Sequence, residues 1–319
     1  MSTIGDIAKK TGFSPMTVSR YFNNPARVKE ETREIIQKAV EELNYSPNSV
    51  AKSLAKKCTS IIYVYIAPDL EVMHPFVQLS VAALGERLGE YGYSFLLSRK
   101  MYSDESCDGV IAIGLTLSQE NKMAHFKKKP HVIFGNSTET ANWVDVDNYR
   151  GSYDMTQFLL GKGCRQIGYI GVGQAKRYGQ DRLNAYRDCL TANGIAVDES
   201  IIRMCDNKES AGYRSAKSLI ESGIVPDAIE CASDLLAIGC IRALNELSVP
   251  VPDRVFVTGF DGLGYENIAH PHITTVRQPI YEVGLKLADM MVGILRGENP
   301  EHGVYVVPEI VEHSSTRRQ

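Results

Sequence analysis

In the run Thr3-Ile4-Gly5-Asp6-Ile7-Ala8-Lys9-Lys10-Thr11-Gly12-Phe13-Ser14-Pro15-Met16-Thr17-Val18-Ser19-Arg20-Tyr21-Phe22-Asn23, two short helical patterns are separated by a turn. Ile4, Ile7 and Ala8 share one face of the first, with Thr3 as its N-cap and Asp6 at its third position. Gly12 suits a left-handed turn, and Ser14-Pro15 reads as a serine cap followed by a proline in the first helical turn. On the second helix Val18 and Phe22 face inward, while Pro15, Met16, Thr17, Ser19, Arg20 and Asn23 lie toward its exposed side and amino end. Such a helix-turn-helix inserts its second helix, amino end first, into the DNA major groove. The same geometry also serves as a plain three-helix cap with no ligand. Residues 32–43 supply the third helix, with Ile35, Ile36, Ala39, Val40 and Leu43 as its apolar stripe.

The next segment, Tyr45-Ser46-Pro47-Asn48-Ser49-Val50-Ala51-Lys52-Ser53-Leu54-Ala55, repeats the cap-then-proline start but offers only about two turns, too few to be stable alone. A short basic helix ending in leucine suits the minor groove, where an apolar side chain wedges between base steps; the alternative is an ordinary linker helix. With Thr3–Ala8, Thr17-Val18-Ser19-Arg20, Thr32-Arg33, Leu43–Asn48 and Ala51–Leu54 in this order, residues 3–55 resemble the DNA-binding headpiece and hinge of the lactose-repressor/galactose-repressor family of bacterial transcription regulators. The resemblance implies DNA contacts from Thr3, Pro15, Met16, Thr17, Ser19, Arg20, Asn23 and Asn48, with Leu54 as the minor-groove wedge beside Ala51 and Lys52. Discrimination between bases should rest on Met16 and Arg20, because Pro15 has no side-chain hydrogen bond to offer. Lys29 stands where the family usually has a serine cap, so the third helix is expected to fray at its start.

The 319 residues carry 35 Lys+Arg against 38 Asp+Glu, a formal charge of -3. Residues 1–57 hold ten basic and six acidic residues, leaving the head at +4 and the body at -7. A basic head on an acidic body directs one end to phosphate. No apolar run reaches membrane-spanning length and no signal sequence precedes the first helix, which implies a cytoplasmic protein with no membrane partner. Seven cysteines without CxxC spacing indicate neither a disulfide framework nor a zinc site. Phosphate-cradling loops, HExxH and the GxSxG elbow are all lacking, so no enzyme, catalytic residue, metal or cofactor is expected.

Beyond Cys58 short apolar strands alternate with helices: strands at 61–66, 94–97, 109–113 and 131–134, then again at 167–170, 200–202, 228–231 and 255–260, with helices near 76–90, 148–161, 180–192, 210–222 and 234–246. This is the pattern of parallel sheets covered on both faces. Only about ten residues separate the second and third strands, too few for a crossover helix. One face of the first sheet is therefore expected to be thinly covered. Stretches such as Asp181–Tyr186, Ala232–Gly239 and Val257–Gly262 resemble the same family's effector-binding body, similar to periplasmic sugar-binding proteins.

The expected fold is thus multidomain: an all-α helix-turn-helix headpiece (1–45), a hinge helix and linker (46–58), and an α/β periplasmic-binding-protein-like body (59–319). The body divides into an N-lobe of about 59–140 plus 263–277 and a C-lobe of about 145–261 plus 279–319, with lobe crossings near 136–148, 262–278 and 302–312. The resemblance points to Arg182 and Asp261 as the main effector contacts, with Asp147, Asp69 and Phe76 beside them. Asn207 stands where the family often has an aromatic ring, and Ser233 where it commonly has asparagine; His74-Pro75-Phe76 replaces a commoner asparagine-led loop. These departures weaken a stacking platform for a sugar or purine. The implied protein is a homodimeric regulator, most simply a repressor, reading an approximately palindromic operator under control of a small polar effector such as a sugar or sugar derivative. The chain shows no leucine-heptad tail that would join dimers. Two alternatives stand beside this reading: a small-molecule-binding protein whose head is a scaffold, and a regulator with a degenerate cleft controlled by another protein.

Overall fold

The computed structural model describes residues 3–23, 25–43, 45, 58–101, 106–124, 129–173 and 176–318. The expected hinge helix, with Asn48, Ala51, Lys52 and Leu54, lies outside the described residues, as does the side chain of Asn23. The chain divides into two compact units, Met1–Thr59 and Ser60–Gln319.

In the first unit, α1 (Ile4–Thr11), α2 (Pro15–Asn23) and α3 (Glu30–Glu42) enclose a small core of Ile7, Val18 and Ile36, all without solvent exposure. Thr3 and Asp6 form a reciprocal capping box: the Asp6 N–H donates to Thr3 Oγ1 (3.3 Å) and the Thr3 N–H to Asp6 Oδ2 (2.8 Å). Gly12 takes φ 74° after α1, and the Thr17 N–H donates to Ser14 Oγ (3.1 Å) at the start of α2. Lys29 precedes α3 with no side-chain cap, and the carboxylates of Glu30 and Glu31 complement the helix dipole there instead. Ile35 departs from expectation. It is 48% exposed, because Ile36, Ala39, Val40 and Leu43 already fill the stripe that two neighbouring helices can cover.

The second unit contains two six-stranded sheets. In chain order its elements are β1 (Ile61–Ile66), α4 (Pro75–Glu90), β2 (Ser94–Ser98), β3 (Gly109–Ile113), α5 (Leu117–Ala124), β4 (His131–Phe134), β5 (Trp143–Val146), α6 (Asn148–Gly161), β6 (Ile167–Val172), α7 (Arg177–Ala192), β7 (Ile202–Cys205), α8 (Glu209–Glu221), β8 (Ala228–Cys231), α9 (Asp234–Glu246), β9 (Phe256–Asp261), β10 (Thr274–Arg277), α10 (Ile280–Leu295), β11 (Val304–Val306) and β12 (Glu309–Val311). The first sheet runs β11-β5-β4-β3-β1-β2 and the second β12-β10-β9-β8-β6-β7. The chain passes between lobes after β5, after β10 and after β11, within or at the edge of the three expected crossing regions.

The expected lobe limits need correction at their C-terminal pieces. Residues 274–277 belong to the second sheet, not the N-lobe, because β10 pairs in parallel with β9 from Thr274↔Thr258 to Arg277↔Asp261. Conversely, α10 and β11 belong to the N-lobe: Val283, Leu287 and Met291 pack in the core of the first sheet, and Val304 pairs with Val144. An apolar stripe states that a helix must be covered without stating by which sheet. The expected strand at 200–202 is also displaced, since Glu199–Ile201 forms a 3-10 turn and the strand begins at Ile202.

No helix occurs in the described residues between β2 and β3. On that side of the first sheet Cys107 and Met101, from the short connection itself, pack with Tyr63 and Tyr65. Leu96, beside Tyr63 in the register, is 55% exposed.

Deep in the C-lobe, Glu230 accepts hydrogen bonds from Ser152 Oγ and Thr156 Oγ1, both at 2.6 Å. Burial pushes its carboxyl up to about 7 against the help of these two hydroxyls. The unfolded chain releases this proton near pH ~4.3 whereas the folded chain retains it, so stability falls as pH rises from there to about 7. Glu230→Gln is therefore expected to stabilise the body by about 2–3 kcal/mol at pH 8, and by clearly less at pH 5. Urea unfolding at the two pH values checks this; a pH-independent change would contradict it.

Candidate functional site

The head offers α2 as its reading surface. Thr3, Pro15, Met16 and Arg20 are exposed, with Met16 71% accessible, while Thr17 and Ser19 are half-buried. Burial of Val18 fixes the rotation of α2 and so turns Met16 and Arg20 outward. The Thr17 hydroxyl lies 3.0 Å from Ser14 Oγ, a contact that ties it to the start of its own helix.

In the second unit a cavity of about 220 Å³ is lined from the N-lobe by Asp69, Phe76, Phe134, Asn136 and Asp145, and from the C-lobe side by Asn148, Tyr178, Arg182, Asn207 and Asp261. Arg182, on α7, is 4% exposed. Its Nε and Nη2 donate to Asn148 Oδ1 at 3.0 and 2.7 Å, and Nη1 donates to the Ala232 carbonyl at 2.6 Å. The guanidinium lies 3.5 Å from the Phe260 ring centroid and 5.0 Å from that of Tyr178. Three of its five N–H groups are thus engaged by neutral acceptors, and its Nη1 is 3.9 Å from Asp261 Oδ1, a charge contact rather than a hydrogen bond.

Asp261 ends β9 with φ 135°, a conformation costly for a residue with a Cβ. It accepts from Gln278 Nε2 (2.7 Å). Behind it Asp234 accepts from Thr275 Oγ1 (2.6 Å) and the Gly262 N–H (2.8 Å). Burial pushes both carboxyls upward, reinforced at Asp234 by the charge of Asp261 and opposed at Asp261 by Arg182. Asp145 is pushed up to about 7 by burial, against hydrogen bonds from the Asn136 and Val146 N–H groups.

Of the residues expected at the cleft, Asp69, Phe76, Arg182, Asn207 and Asp261 line the cavity, but Asp147 and Ser233 do not. Asp147 caps α6, accepting from the Arg150 N–H (2.9 Å). Ser233 caps α9 by accepting from the Leu236 N–H (3.2 Å), and donates to Asn207 Oδ1 (2.5 Å). Both positions fall at helix starts, where the orphan N–H groups claim a short polar side chain. His74 performs the same task for α4, accepting from the Phe76 N–H through Nδ1 (3.2 Å).

Asp145, Asn148 and Tyr178 were not anticipated. Asp145 has a signal in retrospect: a charge inside the otherwise apolar Val144–Val146 must be paired or functional. Tyr178 is four residues before Arg182 on α7, hence on the same helical face, and supplies an aromatic ring to the cavity that Asn207 does not. Among the described residues no group of His, Cys, Asp and Glu could hold a metal ion, and no helix is long and apolar enough to cross a membrane.

Comparison with known proteins agrees with both parts of this architecture. Residues 3–48 match the bacterial regulatory proteins of the lacI family, and residues 156–316 match a periplasmic binding protein-like domain. The uncharacterized HTH-type transcriptional regulator YvdE of Bacillus subtilis is 30% identical over 318 residues, 99% of this chain and all of that protein. GalR of Escherichia coli is 26% identical over 310 residues, covering 92% of this chain and 89% of its own. Among solved structures, a CelR–cellobiose complex superposes with TM-score 0.74 at 28% identity, covering 99% of this chain and 100% of that one. The lac repressor dimer bound to operator and the anti-inducer ONPF gives 0.82 at 25% identity, with 99% of each chain covered. An exposed reading helix, a two-lobed body with a polar cleft and a full-length match to a transcription regulator lead to one assignment: the chain belongs to the lacI/GalR family of bacterial transcriptional regulators, sequence-specific DNA-binding proteins and not enzymes.

Proposed function

We propose that the protein is a homodimeric repressor in the bacterial cytoplasm whose grip on an approximately palindromic operator is set by a small polar effector, a sugar or sugar derivative, held in the cleft by Arg182 and Asp261. The observation that carries this reading is that a buried guanidinium, two of whose N–H groups are unengaged among the described residues, and a buried carboxylate border one cavity between two lobes. Adjacent donors and acceptors of this kind match neighbouring hydroxyls of a polyol. A ligand touching both lobes favours one of their relative arrangements, the elementary requirement of an effector switch. The lac repressor structure, with operator and anti-inducer together, and the CelR structure with cellobiose support the class of partners. Two heads are required because one short helix reads few bases, and a two-fold dimer calls for a two-fold site.

The DNA half of the proposal is tested at Arg20 and Met16. Arg20→Ala is expected to weaken operator binding about tenfold or more and to reduce its salt dependence if a phosphate contact is lost. Substitutions of the exposed Met16 should change which operator is preferred. Binding of the full chain to a panel of operators at fixed salt is the measurement; unchanged affinity and preference in both variants would remove α2 from the reading surface.

A further inference from the structure

Two consecutive basic residues sit where a helix favours acids. Lys176 is the N-cap of α7, with no side-chain cap, and Arg177 is its first residue; positive charge at a helix amino end is unfavourable. Both reach across the cleft. Lys176 Nζ lies 2.5 Å from Asp69 Oδ2, and Arg177 Nε lies 3.1 Å from Glu120 Oε2 on α5. Arg177 Nη2 also donates to Thr138 Oγ1 (2.8 Å), and Ser137 Oγ donates to Glu120 Oε2 (3.2 Å). The Glu120 side chain is only 4% exposed and its partner Arg177 23%, whereas Lys176 at 10% meets an Asp69 that is 59% exposed; the Arg177–Glu120 pair is therefore the one shielded from solvent screening. All four charged residues line the same cavity as Arg182 and Asp261.

The consequence concerns size. The cavity of about 220 Å³ is smaller than the roughly 300–1,000 Å³ of pockets that take drug-sized ligands, and a disaccharide is a ligand of that larger class. Part of its wall is made of ion pairs joining the lobes, and a longer ligand has to break them. Breaking them would leave the carboxylate of Glu120 without the guanidinium that compensates its burial.

Resting on the reading of the cleft as a polyol site, we infer that the Lys176–Asp69 and Arg177–Glu120 pairs form a size gate: they confine the effector to a single sugar ring or a polyol of that size and exclude disaccharides. Lys176, Arg177, Asp69 and Glu120 are in this sense specificity-determining residues. Local rules broken at the amino end of α7 have a compensation in the opposite lobe, as expected where a functional demand overrides helix preference.

The test is calorimetry on the full-length protein with glucose, galactose and N-acetylglucosamine against maltose, cellobiose and lactose. The wild type is expected to bind one of the single rings at least tenfold more tightly than any disaccharide. In Arg177→Ala/Glu120→Ala, which removes both charges of the deeper pair together, that ratio should fall to near unity as disaccharides are admitted. Lys176→Ala/Asp69→Ala, at the more exposed pair, provides a second route should the first variant not fold, with thermal melting as the control. A wild type that binds a disaccharide as tightly as any single ring overturns the gate and leaves the polyol site standing, as does discrimination that survives both double variants. Failure of every sugar of either length to bind defeats the reading of the cleft itself, and the gate with it.

Discussion

Arg182→Ala is expected to abolish measurable effector binding, a loss of at least about thirtyfold, and to destabilise the body by about 3 kcal/mol in the same protein. The two effects have one origin. Arg182 is buried, gives three N–H groups to Asn148 and the Ala232 carbonyl, and lies 3.9 Å from Asp261 Oδ1. Removing it takes from the cleft the guanidinium N–H groups left over for a ligand, and truncating one member of a buried charged contact typically costs about 2–5 kcal/mol in affinity, with each ~1.4 kcal/mol worth a factor of ten. It also leaves Asp261 with Gln278 as its side-chain partner in a site where burial already disfavours its charge, the situation in which breaking a buried pair is most damaging. Asp261→Asn, which retains a polar group and removes the charge, should lose effector affinity with much less loss of stability. Calorimetry and denaturant unfolding on the two variants separate the roles. A ligand bound tightly by the wild type and equally by both variants would make this pair structural.

The second large effect is expected at Gly239. A Cβ there would lie 2.0 Å from the Glu209 carbonyl oxygen and 2.6 Å from the Tyr213 nitrogen, both backbone atoms of α8. Neither can swing aside as a flexible side chain would. Helix preference alone favours alanine over glycine by about 1 kcal/mol, whereas forced separation of packed helices costs about 1–3 kcal/mol or more. The packing effect is expected to win, so Gly239→Ala should lower the unfolding midpoint markedly although it adds only one methyl group. Gly89→Ala provides the control: it lies on α4 with nothing within 4 Å of the added carbon, and should be neutral or stabilising. Equal midpoints for the two variants would show that α8 and α9 yield at this contact.

Much of this was legible because it is local. Thr3 and Asp6 three residues apart, Ser14 before Pro15, and the spacing of Ile7, Val18 and Ile36 determine the head through contacts within a few turns of chain. The strands Ile61–Ile66, Gly109–Ile113 and Ala228–Cys231, and the helices Asn148–Gly161 and Asp234–Glu246, fall where apolar runs and helical periodicity place them. Arg182 and Asp261 were legible as well, through the stretches that resemble the effector-binding body, and both line the cavity.

What depended on partners distant in sequence was not. Ile35 and Ile36 look alike in a helical stripe, and only the packing of α1 and α2 against α3 leaves the first exposed and buries the second. The helix Ile280–Leu295 follows a strand of the C-lobe yet is covered by the N-lobe, because an amphipathic face specifies burial and not the surface that provides it. Asp145 and Asp147 are the same residue type two positions apart, but one faces the cavity and the other caps a helix. The ion pairs of Lys176 with Asp69 and Arg177 with Glu120 join residues 107 and 57 positions apart. The sequence by itself determined the helix-turn-helix and the alternating body, since these follow from caps, turns and periodicity; which carboxylate meets which cation in the cleft was decided only when two sheets brought the ends of their strands together.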